Sequence, residues 1–502
     1  MFSENEIRII NNEGFLLSQI ENQIENFKNG FPFANITKAA SLGNGIKELN
    51  VTEKLNLIKY FDNNSGNLNI TKFTPASGAA SRMFKDLFAF LDSDKNLSNN
   101  EFVNIFYSEI KEFAFYNKLS EQLSKHSIEN KKENIKQIIE ILLTEKGLNY
   151  GNLPKGLLLF HKYDNEIRTA FAEHLIEGVL YAKGKNNISN IVFTVSNNHK
   201  ELFIELYNNL KSEYEKKYNI TYNIEFTEQL RSTDTIAVNM DNSPFKNDMG
   251  EILFRPGGHG ALIENLNKIE SDIIFIKNID NVVHQNHISN TIEYKKILAG
   301  ELLRVKNIIF DYLKLIEDKE NINDKLINEI IKFTEEELCI ISQKKLNPNS
   351  EETINFLKDK LNRPIRVCGM VKNEGEAGGG PYWVKDNTNC IQLQIAESSE
   401  IDQSNNNTKE IMSNATHFNP VDIVCSTLDY NGKKFNLNNF INHEAGFISE
   451  KSINGKPLKA QELPGLWNGA MANWNTIFIE VPVSTFIPVK NVNDLLRPNH
   501  QS

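Results

Sequence analysis

A run of small residues between a predicted strand and a predicted helix is the first candidate for chemistry. Such a loop lets backbone N–H groups approach a triphosphate, and Arg82 at its end adds a fixed positive charge. Its spacing matches neither a Walker A loop nor a GxGxxG loop, so a tight structural turn stays open as the alternative. The phosphate-binding candidates are Ala76, Ser77, Gly78, Ala79, Ala80 and Ser81.

A lysine and a glycine-rich histidine loop are the next candidates. Lys155 follows a proline directly before an apolar stretch, so its ammonium could reach a cleft at the sheet edge, although a solvated lysine fits equally well. The run 255–261 places Gly257, Gly258 and a third glycine around His259. Glycines expose the backbone and permit close packing of a flat ligand, which favours a ligand loop over a structural turn.

An acidic residue at a strand end is the candidate metal ligand. Asp280 and Asn278 directly follow the apolar segment 272–276. In open α/β sheets ligands bind beyond the carboxyl ends of the strands, and Mg²⁺ favours one or two carboxylates with phosphate oxygens and water. An Asx turn is the structural alternative. His284 and His287 lie nearby, but the sequence offers no third ligand for zinc.

Composition excludes several classes of protein. The chain has 502 residues, which is enough to bury a large core without disulfides, and its four cysteines form no CxxC pair. We therefore expect reduced cysteines. Its net charge of -10 disfavours nucleic acid as a partner. The sequence shows no signal peptide and no long apolar segment, so we expect a cytoplasmic protein with no membrane contact.

Alternating apolar periods predict an α/β protein with a doubly wound sheet. Predicted strands at 68–73, 155–160, 190–195, 220–226 and 272–276 alternate with predicted helices. The chain divides into a helical lead-in at 1–60, a nucleotide-binding core at 61–345 with a helical insertion at about 84–150, and a strand-rich sugar-binding portion at 346–502.

The order of these motifs resembles that of UDP-glucose and UDP-N-acetylhexosamine pyrophosphorylases, and more closely a related bacterial family. The resemblance rests on the small-residue loop, Lys155 after its proline, Gln229 after a strand, the glycine–histidine loop, the segment 278–281, the segment 467–473 with Asn468, and the segment 486–496 with Lys490. It extends as islands from about residue 72 to 497. It implies a GT-A-like fold, that of the nucleotide-diphospho-sugar transferases, built on a mixed sheet.

The resemblance also implies an activity and residue roles. The expected reaction joins a nucleoside triphosphate, with UTP favoured by Gln229, to a sugar 1-phosphate and releases pyrophosphate. Gln229 and the glycines would face the base, His259, Asn278 and Asn468 the sugar, and Asp280 would hold Mg²⁺. Arg82, Lys155 and Lys490 would neutralise phosphates as the catalytic residues. A GT-A glycosyltransferase, or an inactive nucleotide-sugar-binding protein suggested by the altered glycine loop, remains the alternative.

Overall fold

The computed structural model describes residues 2–93, 97, 100–318, 322–376 and 378–502. Residues 94–96 and 98–99, within the predicted insertion, lie outside the described residues.

The helices of the described chain are α1 (Glu4–Asn12), α2 (Leu17–Asn29), α3 (Val51–Asn64), α4 (Lys85–Leu91), α5 (Glu101–Ser108), α6 (Tyr116–Lys125), α7 (Ile135–Leu143), α8 (Ala170–Tyr181), α9 (Lys200–Tyr218), α10 (Ile263–Leu266), α11 (Ser289–Glu317), α12 (Asp324–Glu336), α13 (Glu351–Leu361) and α14 (Asn406–Ser413).

The strands are β1 (Ile36–Ala39), β2 (Ser41–Leu42), β3 (Gly45–Lys47), β4 (Ile70–Pro75), β5 (Leu159–Lys162), β6 (Ile167–Thr169), β7 (Ile188–Val195), β8 (Thr221–Glu228), β9 (Thr235–Val238), β10 (Phe254–Arg255), β11 (Ile273–Ile276), β12 (Ile341–Ser342), β13 (Ile365–Lys372), β14 (Gly380–Lys385), β15 (Cys390–Ala396), β16 (His417–Phe418), β17 (Ile423–Ser426), β18 (Phe447–Ile453), β19 (Lys456–Glu462) and β20 (Asn475–Glu480).

The chain divides into two compact units, each assembled from three separate segments. The first unit comprises residues 1–63, 229–274 and 297–481, and the second comprises residues 64–228, 275–296 and 482–502. The portions predicted at 1–60, 61–345 and 346–502 are consecutive in the chain instead. The difference arises because strand pairing joins segments that are far apart in sequence, which a linear reading of composition does not register.

The second unit is built on the parallel strands β4, β7 and β8, which pair in that order. Strand β4 is almost wholly buried, and so is the end of β7, as expected for parallel strands covered on both faces. The predicted strands at 68–73, 190–195 and 220–226 are confirmed as β4, β7 and β8. Helix α8 precedes β7 in the chain and has Thr169 as its N-cap. Helix α9 connects β7 to β8.

The predicted helical insertion is confirmed in the described residues as α4 to α7. Helix α7 buries Ile135, Ile138, Ile139 and Leu142, at the i, i+3, i+4, i+7 spacing of one helix face. These side chains share a single core with Phe106, Phe113 and Phe115 and with the buried side chains of α8 and β7. The insertion therefore belongs to the core of the second unit.

The first unit contains three groups of strands. Strands β2, β3, β20, β13 and β17 pair in that order, and β16 also pairs with β13. Strand β13 is parallel to β20 and antiparallel to β17, so this group is mixed. The other two are four-stranded sheets, ordered β1-β14-β15-β12 and β10-β9-β19-β18. Helices α1 and α2 pack on β9, and the Phe15 ring stacks on the Phe254 ring at 4.2 Å between centroids.

Two local predictions were wrong and one was confirmed. The lead-in contains strands β1, β2 and β3 between its helices, because β1 pairs with β14 and β3 with β20, both remote in sequence. The helix predicted after the small-residue loop is confirmed, since a 3₁₀ turn at 80–82 is followed by α4 from Lys85. The strand predicted from Lys155 is a turn at 155–157 followed by β5, which pairs antiparallel with β6.

A buried charge network ties the second unit together. The Glu177 carboxylate accepts hydrogen bonds from Lys72 Nζ at 2.7 Å and Lys277 Nζ at 2.6 Å, and from the Tyr181 hydroxyl at 2.8 Å. All four side chains are buried. Burial lowers the pKa of Lys72 to about 7, although Glu177 opposes the shift. Burial alone would raise the pKa of Glu177, but Lys277 and Lys72 hold it well below its usual value.

We expect Glu177→Gln to destabilise the fold by about 3–5 kcal/mol, because it leaves two buried ammonium groups without their carboxylate. The check is the free energy of unfolding in urea. The matched control is Glu225→Gln on the exposed face of β8, which should change stability by no more than about 0.5 kcal/mol. Equal stability of the two variants would contradict the role of Glu177.

Candidate functional site

The small-residue loop of the second unit presents unengaged backbone donors. Its two ends are fixed, since Ala76 N–H donates to Thr194 O at 2.7 Å and Ala80 N–H donates to Leu153 O at 3.0 Å. Within the described chain, the N–H groups of the three residues between these ends, 77–79, make no hydrogen bond. These three residues are exposed, and so are Ser81 and Arg82. The loop can therefore accept an anion on its N–H groups.

Lys155 lies against this loop and forms an ion pair with Asp280. The loop contact is a hydrogen bond of 3.2 Å from Lys155 N–H to Gly78 O. The Lys155 ammonium donates to Asp280 Oδ2 at 2.7 Å and to Val489 O at 2.8 Å. The side chains of the pair are 12% and 17% exposed, so both remain within reach of a ligand. The loop, Lys155 and Asp280, each predicted separately, lie together.

Main-chain and buried contacts fix the position of Asp280. Its carbonyl oxygen accepts a 3.0 Å hydrogen bond from Val489 N–H, so residue 489 contacts both members of the ion pair. One residue earlier, Ile279 O lies 3.1 Å from His174 Nε2. A carbonyl oxygen can only accept, so His174 donates through Nε2, and burial lowers the pKa of His174 well below its usual value. Lys277, held by Glu177, fixes the start of the same segment.

The Lys490 side chain, predicted to neutralise phosphates, is exposed, with Nζ 5.8 Å from the centroid of the Phe486 ring. Its backbone N–H donates to Asp494 Oδ2 at 2.7 Å. The contact with Lys155 comes from the neighbouring carbonyl of Val489 instead. Sequence reasoning missed Val489, because a main-chain role leaves no mark on residue type.

A second candidate group lies in the first unit, around His259. Its ring stacks on Trp467 at 4.3 Å between centroids, and Nδ1 accepts a 2.9 Å hydrogen bond from Leu466 N–H. A Cβ at Gly465 would lie 2.5 Å from His259 Cε1 and 2.7 Å from Asn468 Nδ2, so only glycine permits this approach. His259 and Asn468, both predicted to face a sugar, are thus brought together.

Two glutamates complete this group, and sequence reasoning missed both. His259 Nε2 lies 3.5 Å from Glu397 Oε1, and the histidine lowers the pKa of Glu397. Asn468 Nδ2 donates to Glu400 Oε2 at 3.0 Å, and burial raises the pKa of Glu400 to about 7. Carboxylates beside an amide and an imidazole are suited to the hydroxyl groups of a sugar. The two glutamates at 397 and 400, directly after β15, are the sequence feature that could have indicated this group.

The glycines next to His259 serve the packing of the chain. Gly258 has a φ of +78°, which favours glycine, and a Cβ there would lie 2.9 Å from Glu462 Oε2. A Cβ at Gly257 would lie 2.6 Å from Thr233 O. Both glycines therefore allow close contact with the protein itself. Their predicted contact with a nucleotide base remains a prediction.

Gln229 and Asn278 remain candidates on weaker local evidence. Gln229 is half-buried in the first unit, and its Nε2 atom is buried with no hydrogen-bond partner among the described residues. An unpaired amide donor of this kind is a candidate for ligand recognition. Asn278 belongs to the second unit, whereas His259 and Asn468 belong to the first.

The side chains around Asp280 are compatible with Mg²⁺. In the ranges that the structure describes, no three His, Cys, Asp or Glu side chains are grouped to hold a metal. Mg²⁺ requires less from a protein, since it binds through one or two carboxylates and takes phosphate oxygens and waters as its other ligands. A single carboxylate beside an anion-accepting loop fits Mg²⁺ delivered with phosphates.

No helix within the described part of the chain is both long and apolar enough to cross a bilayer.

Comparison with known proteins identifies similar solved structures. The chain is similar to the UDP-N-acetylglucosamine pyrophosphorylase from Trypanosoma brucei, at 12% identity over 99% of this chain and 79% of that one, with a TM-score of 0.49. The UDP-glucose phosphorylase from the same organism is similar at 12% identity over 98% of this chain and 77% of that one, with a TM-score of 0.43. The UDP-glucose pyrophosphorylase from Leishmania major is similar at 11% identity over 99% of this chain and 79% of that one, with a TM-score of 0.41.

These enzymes are of the kinds that the motif order resembles. No curated protein matches the sequence. The model of a domain of unknown function, DUF4301, matches residues 3–501, and the chain belongs to this family.

Proposed function

We propose that the protein is a sugar-1-phosphate nucleotidyltransferase, which forms a nucleotide sugar and pyrophosphate from a nucleoside triphosphate and a sugar 1-phosphate. The proposed nucleoside triphosphate is UTP. The observation that carries the proposal is the meeting of the small-residue loop, Lys155 and Asp280 in the second unit. This arrangement combines unengaged N–H groups, an ammonium and a carboxylate. Those are the groups that a triphosphate with Mg²⁺ requires.

The reaction requires alignment and neutralisation of charge. A sugar 1-phosphate is already a nucleophile, so attack of its oxygen on the α-phosphorus needs no general base. The loop donors hold the phosphates in line, while Lys155 and Arg82 offset the charge on the departing pyrophosphate. Asp280 would hold Mg²⁺, which supplies further charge neutralisation when bound.

The first unit supplies recognition in this proposal. His259, Asn468 and the adjoining Glu397 offer an imidazole, an amide and a carboxylate to the hydroxyls of the sugar. The unpartnered amide of Gln229 offers both a donor and an acceptor to a pyrimidine edge, which favours uracil. Lys490, being exposed, would reach phosphates only from the solvent side.

The direct test is a matrix of nucleoside triphosphates against sugar 1-phosphates, with pyrophosphate release as the measurement. We expect release only when both substrates are present, and highest with UTP. Release of a nucleoside diphosphate from a nucleotide sugar would indicate a glycosyltransferase instead. Binding of UTP without pyrophosphate from any pair would indicate an inactive binding protein.

Gly78→Ala tests the loop. A Cβ at Gly78 would meet no atom within 4 Å, and its φ is not in the left-handed region, so the fold should tolerate alanine. The methyl group would stand where phosphates approach the backbone, and we expect the KM for the triphosphate to rise about tenfold, the cost of one charge-assisted hydrogen bond. Gly66→Ala is the matched control, since Gly66 has the same freedom in the same unit. Unchanged kinetics for Gly78→Ala would exclude the loop from phosphate binding.

Asp280→Asn tests the carboxylate. The amide preserves the shape but neither binds Mg²⁺ well nor balances Lys155, so we expect kcat to fall by roughly 100-fold or more. The Mg²⁺ concentration for half-maximal rate should rise, and circular dichroism should show an intact fold. Asp164→Asn, at an exposed position of the same unit, is the control. Normal kinetics at limiting Mg²⁺ would remove Asp280 from the site.

A further inference from the structure

A cavity of about 390 Å³ in the first unit lies beside the group around His259 and shares Glu400 with it. Its wall includes Lys360 and Arg363 at the end of α13, Phe33, and Glu400, but neither His259, Glu397, Trp467 nor Asn468. The volume is within the range of natural small-molecule sites.

The cationic side chains of this cavity are buried and incompletely paired. Arg363 is only 9% exposed. Its Nε donates to Asp359 O and its Nη2 to Asp359 Oδ2, but Nη1 is buried with no partner among the described residues. Lys360 is 1% exposed, and its Nζ lies 3.3 Å from Thr388 Oγ1, 3.5 Å from Asp386 Oδ2 and 3.8 Å from Asp359 Oδ2, which are all long contacts. A buried guanidinium donor without an acceptor is costly unless a ligand supplies one.

The rest of the wall is suited to hydroxyl groups. Five amide side chains line the cavity: Asn35, Asn387, Gln394, Asn442 and Asn473. Each amide offers both donors and an acceptor, which matches a hydroxyl in either role. Phe33, 56% exposed on this wall, provides an apolar ring face for the C–H side of a sugar ring. Glu400 adds a carboxyl whose pKa burial raises to about 7.

We propose that this cavity binds a small hydroxylated anion, a monosaccharide carrying a phosphate or carboxylate group, with its acidic group on Arg363 and Lys360. Glu400 lines the cavity and also accepts a hydrogen bond from Asn468, so the ligand lies one side chain away from the proposed sugar-binding group. Binding at the cavity requires neither a nucleotide nor turnover.

The test is calorimetric titration of the full chain without nucleotide, using glucose 6-phosphate, glucuronate, glucose and inorganic phosphate as probes. We expect at least one of the two acidic sugars to bind, and which one binds identifies phosphate or carboxylate as the acidic group. Glucose and inorganic phosphate should bind at least about tenfold more weakly, since each lacks one of the recognised features. Equal binding of glucose, equal binding of phosphate, or no binding of either acidic sugar at about 10 mM would overturn the proposal.

Two variants locate the ligand. Arg363→Met should weaken binding about tenfold or more, the expected loss for a charge-assisted hydrogen bond. Because Arg363 also bonds Asp359, Asn387→Trp provides a second test: Asn387 is an exposed lining residue, and an indole there should block the cavity without disturbing the fold. Lys332→Met, whose side chain is 71% exposed on α12, is the control for loss of a positive charge. Unchanged binding in both cavity variants would place the ligand elsewhere.

Asp280→Asn should leave this binding intact even if it abolishes turnover. Failure of the proposed function can therefore be distinguished from failure of the proposed cavity ligand.

Discussion

The hydrogen bonds of Lys72 and Lys277 to the single carboxylate of Glu177 are the constraint on which the second unit depends. An unpaired ammonium in a buried position costs several kcal/mol, so strand β4, helix α8 and the segment after β11 have to meet where both lysines reach this carboxylate. His174, one turn before Glu177 on α8, extends the same constraint to Ile279 O. The position of Asp280 therefore depends on the buried contacts of its neighbouring residues as well as on its own bonds to Val489 and Lys155.

The same reasoning explains the charge of the candidate phosphate site. Lys155 is restrained by one carboxylate and one carbonyl, so its ammonium is balanced but not deeply buried. Such a lysine can turn toward a phosphate at small cost, because only partial desolvation has to be offset. The buried lysines organise the backbone, whereas the half-buried lysine is available for chemistry. The degree of burial thus distinguishes Lys72 and Lys277 from Lys155, although all three residues are lysines.

Sequence reasoning succeeded where a local pattern determines structure. The alternation of apolar segments predicted β4, β7, β8 and β11, and helical spacing predicted the insertion that became α4 to α7. Prediction from the sequence failed where contacts between distant segments determine the structure. Strands β1 to β3 are two to four residues long, and β1 pairs with β14 and β3 with β20, so no local period marks them. Glu397 and Glu400 were missed for a similar reason, since their role depends on the approach of His259 and Asn468 from remote segments.

The segment at 489–490 shows why a motif can mark the right place for a reason different from the expected one. The resemblance directed attention to the Lys490 side chain, but within the described structure it is the backbone of residue 489 that contacts both members of the Lys155–Asp280 pair, donating to Asp280 O and accepting from Lys155 Nζ. Val489 itself is fully buried in the core of the second unit, and Asp494 holds the next backbone N–H. A buried valine anchors the chain, the anchored chain presents a carbonyl, and the carbonyl orients a lysine. The group presented to Lys155 therefore belongs to the main chain, and the packing of the Val489 side chain holds that group in place.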